Sequence, residues 1–272
     1  MEPFKGVDIV RVRDDCRTHT TDRAATEEPL EVRLHGRPFA VIMRTPGSDC
    51  ELAAGFLLSE RVLKDADDLG AIEHCTDETA EHPENIVNVT LANRSAAALD
   101  RILSGRRLVA TNSSCGLCGR LTIDSLRAEA AYMPVRWTLT RDALLQMPIR
   151  LRSAQAVFDE TGGLHAAGLF ETSGELLEFA EDVGRHNAVD KVVGRMLMRE
   201  ALPLESCALF VSGRASFEIV QKAIFAGIPI VASVSAPSTL AIDLAADAGV
   251  TLVGFVRERG FNVYSHPSRI DV

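Results

Sequence analysis

Two cysteines two residues apart, Cys115 and Cys118, are the first residues in this chain whose spacing could do chemistry. They lie in Thr111-Asn112-Ser113-Ser114-Cys115-Gly116-Leu117-Cys118-Gly119-Arg120, with Arg106 and Arg107 shortly before. A C-x-x-C pair serves as a redox couple, as half of a zinc site, or as a nucleophilic thiol beside a second thiol that resolves it. Spacing alone leaves these three uses open. Gly116 and Gly119 permit tight backbone turns, which suits a loop that presents both sulfurs. Nearby guanidinium charge favours thiolate over thiol.

Three further clusters combine charge with positions where a strand is expected to hand over to a helix or a turn. In Glu181-Asp182-Val183-Gly184-Arg185-His186-Asn187, free N–H groups at a helix start attract anions, and Arg185 and His186 add charge and donors. The alternative is structural: Asp182 caps the helix and His186 is partly buried. Ser212-Gly213-Arg214-Ala215-Ser216 has the same setting and could hold phosphate through backbone amides and Arg214. It has neither the G-x-x-x-x-G-K-[ST] nor the G-x-G-x-x-G spacing, so a plain turn is the competing reading. Phe255-Val256-Arg257-Glu258-Arg259-Gly260 follows the last expected parallel strand, at the carboxyl end where α/β sheets bind ligands. There Phe255 could lie against a ring and Arg257 or Arg259 could meet phosphate, against the alternative of a charged hairpin turn. His165 is expected to be an ordinary core or edge histidine. His82-Pro83-Glu84 upstream of the dithiol imitates the H-x-E…P-C-x-x-C pattern of zinc deaminases. Ser114 in place of proline, and a strand-like run rather than a helix after Glu84, both oppose that reading.

The elements that must position these residues differ between the two halves. Residues 1–28 have mixed charge and suggest a short strand over 8–12 with a flexible lead-in, ended by Pro29. A hairpin follows around Gly36, then a helix over 50–59 capped by Asp49, and strands over 71–76 and 86–91. Helices are expected over 94–107 and 123–131, flanking the dithiol, and another after Thr140 that Pro148 kinks or breaks. Beyond residue 155 the pattern becomes strands over 156–158, 164–170 and 176–179, a long helix from Gly184, then apolar strands alternating with short helices to residue 256 and an antiparallel edge over 261–265. This is an α/β pattern within a chain that is α+β overall. The division falls near residues 133–140: a smaller N-terminal α+β subdomain, residues 1–135, ends in the dithiol loop, and residues 136–272 form the main α/β domain.

Composition sets limits. The 272 residues are 46% hydrophobic and 25% charged, with net charge -9 and pI near 5.3. An acidic chain of this kind is a poor general binder of nucleic acid or anionic membrane, so an anionic ligand needs a local basic pocket. Six cysteines in a chain this long do not form a disulfide framework. The charged first 26 residues lack a leader's apolar run, and no stretch reaches membrane-spanning length, so a cytoplasmic protein is expected.

Taken together, TNSSCGLCG (111–119), TGGLHAAGLF (161–170), EDVGRHNAVDKVVG (181–194), SGRASFEIVQKA (212–223) and GFVRERGFNVYSHPSRI (254–270) resemble the FdhD/NarQ family of formate dehydrogenase accessory proteins. The resemblance covers nearly the whole chain. It implies a cytidine-deaminase-like three-layer main domain without the zinc site. It also implies a sulfurtransferase that takes sulfur as a persulfide from a cysteine desulfurase. The sulfur passes to the molybdenum of the bis(molybdopterin guanine dinucleotide) cofactor, a bound substrate, before that cofactor enters formate dehydrogenase. On the same basis Cys115 carries the persulfide, Cys118 assists, Phe255 to Gly260 bind the cofactor, and the protein is a homodimer with no metal of its own. Asp182, Arg185, His186 and Arg214 join the expected binding set on the physical argument alone. Two rivals are a cofactor-binding chaperone without catalytic thiols and a zinc deaminase.

Overall fold

Strand alternation divides the residues of the main sheet between two helical layers. In the computed structural model, which describes residues 2–77, 79–92, 99–100, 102–103 and 132–272, six strands lie in the order β13-β12-β11-β10-β8-β9. They are β8 (His165–Glu171), β9 (Leu176–Asp182), β10 (Cys207–Val211), β11 (Ile230–Ser233), β12 (Thr251–Arg257) and β13 (Gly260–Ser265). β10, β11 and β12 are parallel, and β8, β9 and β13 are antiparallel to their neighbours. Ala166, Phe170, Ala208, Phe210, Ile230, Ala232 and Val253 face one way. They pack on Leu144, Leu145, Met147 and Leu151 of α2 (Arg141–Ala154). Ala167, Leu169, Leu209, Val211, Val231 and Leu252 face the other way, toward α4 (Arg185–Met198), α5 (Phe217–Phe225) and α6 (Thr239–Ala248). Period-2 alternation thus buries both faces of the sheet.

The N-terminal half is a four-stranded sheet, β4-β3-β6-β5, with one helix. Its strands are β3 (Glu28–Leu34), β4 (Arg37–Arg44), β5 (Leu69–His74) and β6 (Ile86–Leu91), and the helix is α1 (Asp49–Ser59). Its apolar side and that of the α4 layer form one continuous core. Where α1 crosses α4, the backbones touch. A Cβ on Gly55 would stand 2.0 Å from the Asp190 carbonyl oxygen, and one on Gly194 would stand 1.8 Å from that of Glu51. Only glycine permits this approach. Buried polar contacts reinforce the junction: Ser59 donates to Asp190 at 2.8 Å, and Lys222 pairs with Asp190 at 2.7 Å.

Several local expectations give way. The first residues form two ten-residue strands, β1 (Phe4–Arg13) and β2 (Cys16–Ala25), not one short strand. Pro29 lies inside β3 rather than ending it, because β6 joins β3 only from Glu31 onward. Asp49 does not cap α1. Ser48 occupies the N-cap, and the Asp49 carboxylate is held bidentately by the fully buried Arg44 at 3.0 and 2.9 Å. Pro148 sits inside α2 without ending it; the four apolar residues facing the sheet offset the lost backbone bond. Residues 156–158 are helical, in α3 (Ala156–Thr161), because the Glu181 carboxylate accepts from the N–H groups of Val157 (3.1 Å) and Phe158 (2.8 Å). The helices expected around the dithiol lie largely outside the described residues. Two short strands, β7 (Leu139–Thr140) and β14 (Ile270–Asp271), pair in parallel and close the domain.

Candidate functional site

The three charged clusters lie along one edge of the main sheet, at the carboxyl ends of β9, β10 and β12. A parallel strand followed at once by a helix leaves its connecting turn at that edge. The turn after β10 holds Ser212 to Ser216. Its Ser212 accepts from Ala166 N–H at 2.8 Å through Oγ and donates its own N–H to Ala166 O at 2.9 Å. The turn after β11, Val234 to Ser238, is stitched to it by a Ser238 N–H bond to Ala215 O at 3.2 Å and a bridge between Ala215 and Pro237. The same turn accepts the Phe255 N–H on Ser235 O at 3.1 Å. Nothing in the sequence marks residues 234–238, yet they join the two clusters on either side.

At one end of this rim two helix starts converge. Gly184 begins α4 and Ser216 begins α5, and neither makes a side-chain cap. His186 Nε2 lies 2.6 Å from the Glu218 carboxylate and 3.2 Å from Ser216 Oγ. Both partners share one ring nitrogen, so this is not a Ser-His-acid relay, which needs the acid on the other nitrogen. Gly213 packs against Arg185 and His165; a Cβ there would stand 3.4 Å from Arg185 Cδ and from His165 Nδ1. The Arg185 Nε is buried and has no hydrogen-bond partner. Arg214 is exposed.

His165, expected to be unremarkable, sits in this group. Burial pushes its pKa below the ordinary 6.5, and the charges of Arg185 and His186 push the same way. It lines a cleft of about 470 Å³ with Arg152, Phe158, Ser212 and Val234. Its own sequence context, a strand after two glycines, carries no signal of this; only the neighbours brought by the fold do. Glu218, outside every cluster that the sequence marks, is equally silent.

Asp182 is placed differently from its neighbours. It is fully buried, and both oxygens are taken: Oδ1 by Gly184 N–H (2.8 Å) and Asn187 Nδ2 (2.9 Å), Oδ2 by Thr45 N–H (3.1 Å) and Lys191 Nζ (2.8 Å). Lys191 Nζ also donates to Thr45 O at 2.8 Å. This carboxylate holds the turn to the N-terminal half and presents nothing to solvent.

At the far end of the rim, Phe255 is 36% exposed and has φ +55°. A left-handed backbone is costly for an aromatic residue, by about 1–3 kcal/mol, and persists only where the surroundings impose it. Here Ser235 O and the register shift between Gly254 and Arg257 impose it. The Arg257 guanidinium lies 6.0 Å from the Phe255 ring centre. Arg257, Glu258 and Arg259 are exposed, and Gly260 pairs with Arg257 to close the turn. Val256 is turned into the core on the α2 side and offers no side chain to a ligand. Cys115 and Cys118 lie outside the described residues. His82 and Glu84 pair at 3.5 Å on an exposed turn that leads into β6 of the N-terminal sheet.

The mixed α/β architecture has a close counterpart among solved structures, and the sequence has close relatives. The sequence profile of the FdhD/NarQ family matches residues 25–271, and the chain belongs to that family. A protein named sulfur carrier protein FdhD from Streptomyces avermitilis is 51% identical over 267 residues, 96% of this chain and 94% of the relative. One of the same name from Sulfolobus acidocaldarius is 45% identical over 272 residues, 99% of each chain. The crystal structure of a protein assigned as a formate dehydrogenase accessory protein, from Desulfotalea psychrophila, superposes with a TM-score of 0.78 at 26% identity. It covers 99% of this chain and 100% of that one. Among the described residues, no helix is long and apolar enough to cross a membrane.

Proposed function

We propose that this protein is a sulfur carrier for formate dehydrogenase: it receives sulfur from a cysteine desulfurase and delivers it to the molybdenum of bis(molybdopterin guanine dinucleotide) before the cofactor is inserted. The family match and the shared name of its relatives carry the sulfur-carrier part of this reading. The cationic rim supports the choice of a phosphate-bearing ligand. Arg185 and Arg214 would meet phosphate beside two uncapped helix starts, and Phe255, Arg257 and Arg259 would receive a guanine nucleotide. The strand order and the helices on both sheet faces support a cytidine-deaminase-like layering for residues 136–272. We place the protein in the cytoplasm, as a homodimer.

The chemistry assigns Cys115 and Cys118 successive roles. The Cys115 thiolate attacks the outer sulfur of the desulfurase persulfide, and the desulfurase cysteine leaves as a thiolate. Cys115 then carries one extra sulfur. Attack by the Cys118 thiolate on the inner sulfur, Cys115 Sγ, expels the outer sulfur as sulfide and leaves a Cys115–Cys118 disulfide. The two electrons come from the thiols, and a cellular thiol reductant must restore them.

Incubation with desulfurase and cysteine, followed by peptide mass spectrometry, tests this. One added sulfur is expected on the Cys115 peptide. Cys115→Ala should abolish loading and leave the strain's formate dehydrogenase inactive. Full activity in a Cys115→Ala, Cys118→Ala strain would instead favour a chaperone that only binds the cofactor.

A further inference from the structure

The cleft beside His165 holds a polar group that the fold leaves unused. Gln155 lies between α2 and α3, and its backbone makes the join: its N–H donates to Arg152 O at 3.2 Å, and its C=O accepts the Asp159 N–H at 3.1 Å. The residue is 4% exposed and lines the cleft. Among the described residues no hydrogen bond reaches its carboxamide, which is left open to that space. A nearly buried carboxamide with donor and acceptor both idle is costly, and folded proteins ordinarily satisfy such groups. The rest of the lining suits an uncharged ring. Leu151, Phe158 and Phe210 supply apolar surface, Gly162 and Gly163 a stretch of wall without side chains, and Ser212 a hydroxyl. No carboxylate lines the cleft, and its one ionised side chain, Arg152, is held by Asp159 at 2.5 Å and lies 4.6 Å from the Phe158 ring centre. Burial keeps the pKa of His165 below 6.5, so its ring is uncharged at neutral pH. A largely apolar pocket of about 470 Å³ with a few converging polar groups is the usual build of a small-molecule site.

We infer that this cleft binds a planar, uncharged pyrimidinone ring, whose amide edge is read by the Gln155 carboxamide. A carboxamide meets such an edge with two hydrogen bonds: its N–H donates to the ring oxygen, and its oxygen accepts from the ring N–H. Guanine and pterin share this amino-oxo pyrimidine edge, and place in the fold separates them. The strand order β12-β11-β10-β8 runs from Phe255, past the turns after β11 and β10, to His165 and the cleft. With guanine at Phe255 and phosphate at Arg185 and Arg214, as proposed above, the pterin at the other end of the same diphosphate falls to the cleft. The inference rests on that reading and adds to it the residue that recognises the pterin.

Titration of the full chain with hydroxymethylpterin, followed by the pterin's fluorescence, tests it. One ring per chain is expected, and Gln155→Leu should weaken binding about tenfold or more. Because the carboxamide bonds to no described residue, the same variant should hold or raise the urea midpoint, where loss of a structural glutamine would lower it. Gln155→Asn keeps the amide but withdraws it by one carbon; it should also weaken binding, and it serves if the leucine variant fails to fold. Pterin that stays bound under saturating guanosine diphosphate marks the cleft as the pterin's. Pterin displaced by it, with Gln155→Leu weakening both ligands, marks guanine as the ring that the same pocket takes. Pterin affinity unchanged in both variants, or no binding of either ring by the wild type, overturns the proposal. Loading of Cys115 by the desulfurase reports separately on the carrier. Intact loading beside either of those two results confines the failure to the cleft, whereas absent loading brings down the reading beneath it.

Discussion

The turn from β9 into α4 and the turn from β10 into α5 share a plan, a strand end, a polar turn and a helix start, yet they treat their charges in opposite ways. In the first, Asp182 is buried and bonded by four donors from both halves of the chain. In the second, Arg214 faces solvent and Ser216 leaves its helix uncapped to meet His186. Similar residue types at similar places therefore serve either cohesion or reception. What separates them is whether a second layer covers the turn. The segment between β4 and α1 covers the first turn, whereas the second sits at the sheet edge. The lesson is that polar density in a turn marks importance without saying which kind.

Removing the covered charge should have the largest effect. Asp182→Ala strands the Lys191 ammonium without its carboxylate and should cost about 3–5 kcal/mol, read from the urea midpoint. A loss below about 1 kcal/mol would erase the contrast. The exposed charge should behave inversely. Arg214→Gln should shift the midpoint by no more than about 0.5 kcal/mol. It should still weaken binding of guanosine diphosphate, used as a probe, by about 1.5–3 kcal/mol, roughly tenfold or more, measured calorimetrically. Equal losses of stability in the two variants would show that both turns are structural.

The smallest effect sharpens the boundary between the turns, where His165 stands. Its folded pKa lies below the ordinary 6.5, so between those two values the unfolded chain binds more protons. Stability should therefore be complete above pH 6.5 and decline as pH falls toward the folded value, then flatten. His165→Gln should remove that part of the slope in urea titrations across acidic pH. An unchanged slope would mean that His165 is not sheltered by the Arg185 turn.

Much of the second half was legible because its strands are buried on both faces and its helices are short and apolar on one side. The stretch from Cys207 to Val256 follows the expected alternation closely. The rest was hidden for separate reasons. The β1–β2 ribbon has both faces wet, so no alternation marks it. The helix at Ala156–Thr161 begins where a carboxylate twenty-odd residues later supplies its cap. The glycine contact between α1 and α4 needs two residues far apart in sequence, and neither Gly55 nor Gly194 announces the other. The three charged clusters stood out as clusters, but their adjacency depends on the plain Val234 to Ser238 turn, and the inward aim of Asp182 and Val256 depends on packing that no local pattern encodes.

The left-handed Phe255 has a thermodynamic corollary. Its main chain is fixed before anything binds, so a planar guest would meet an aromatic face whose backbone freedom was lost during folding. The association entropy at that position is correspondingly smaller. Glycine there would relax the backbone and could even raise the melting temperature, while leaving the visiting ring with no surface to settle on. Robustness and affinity would then move in opposite directions at a single residue.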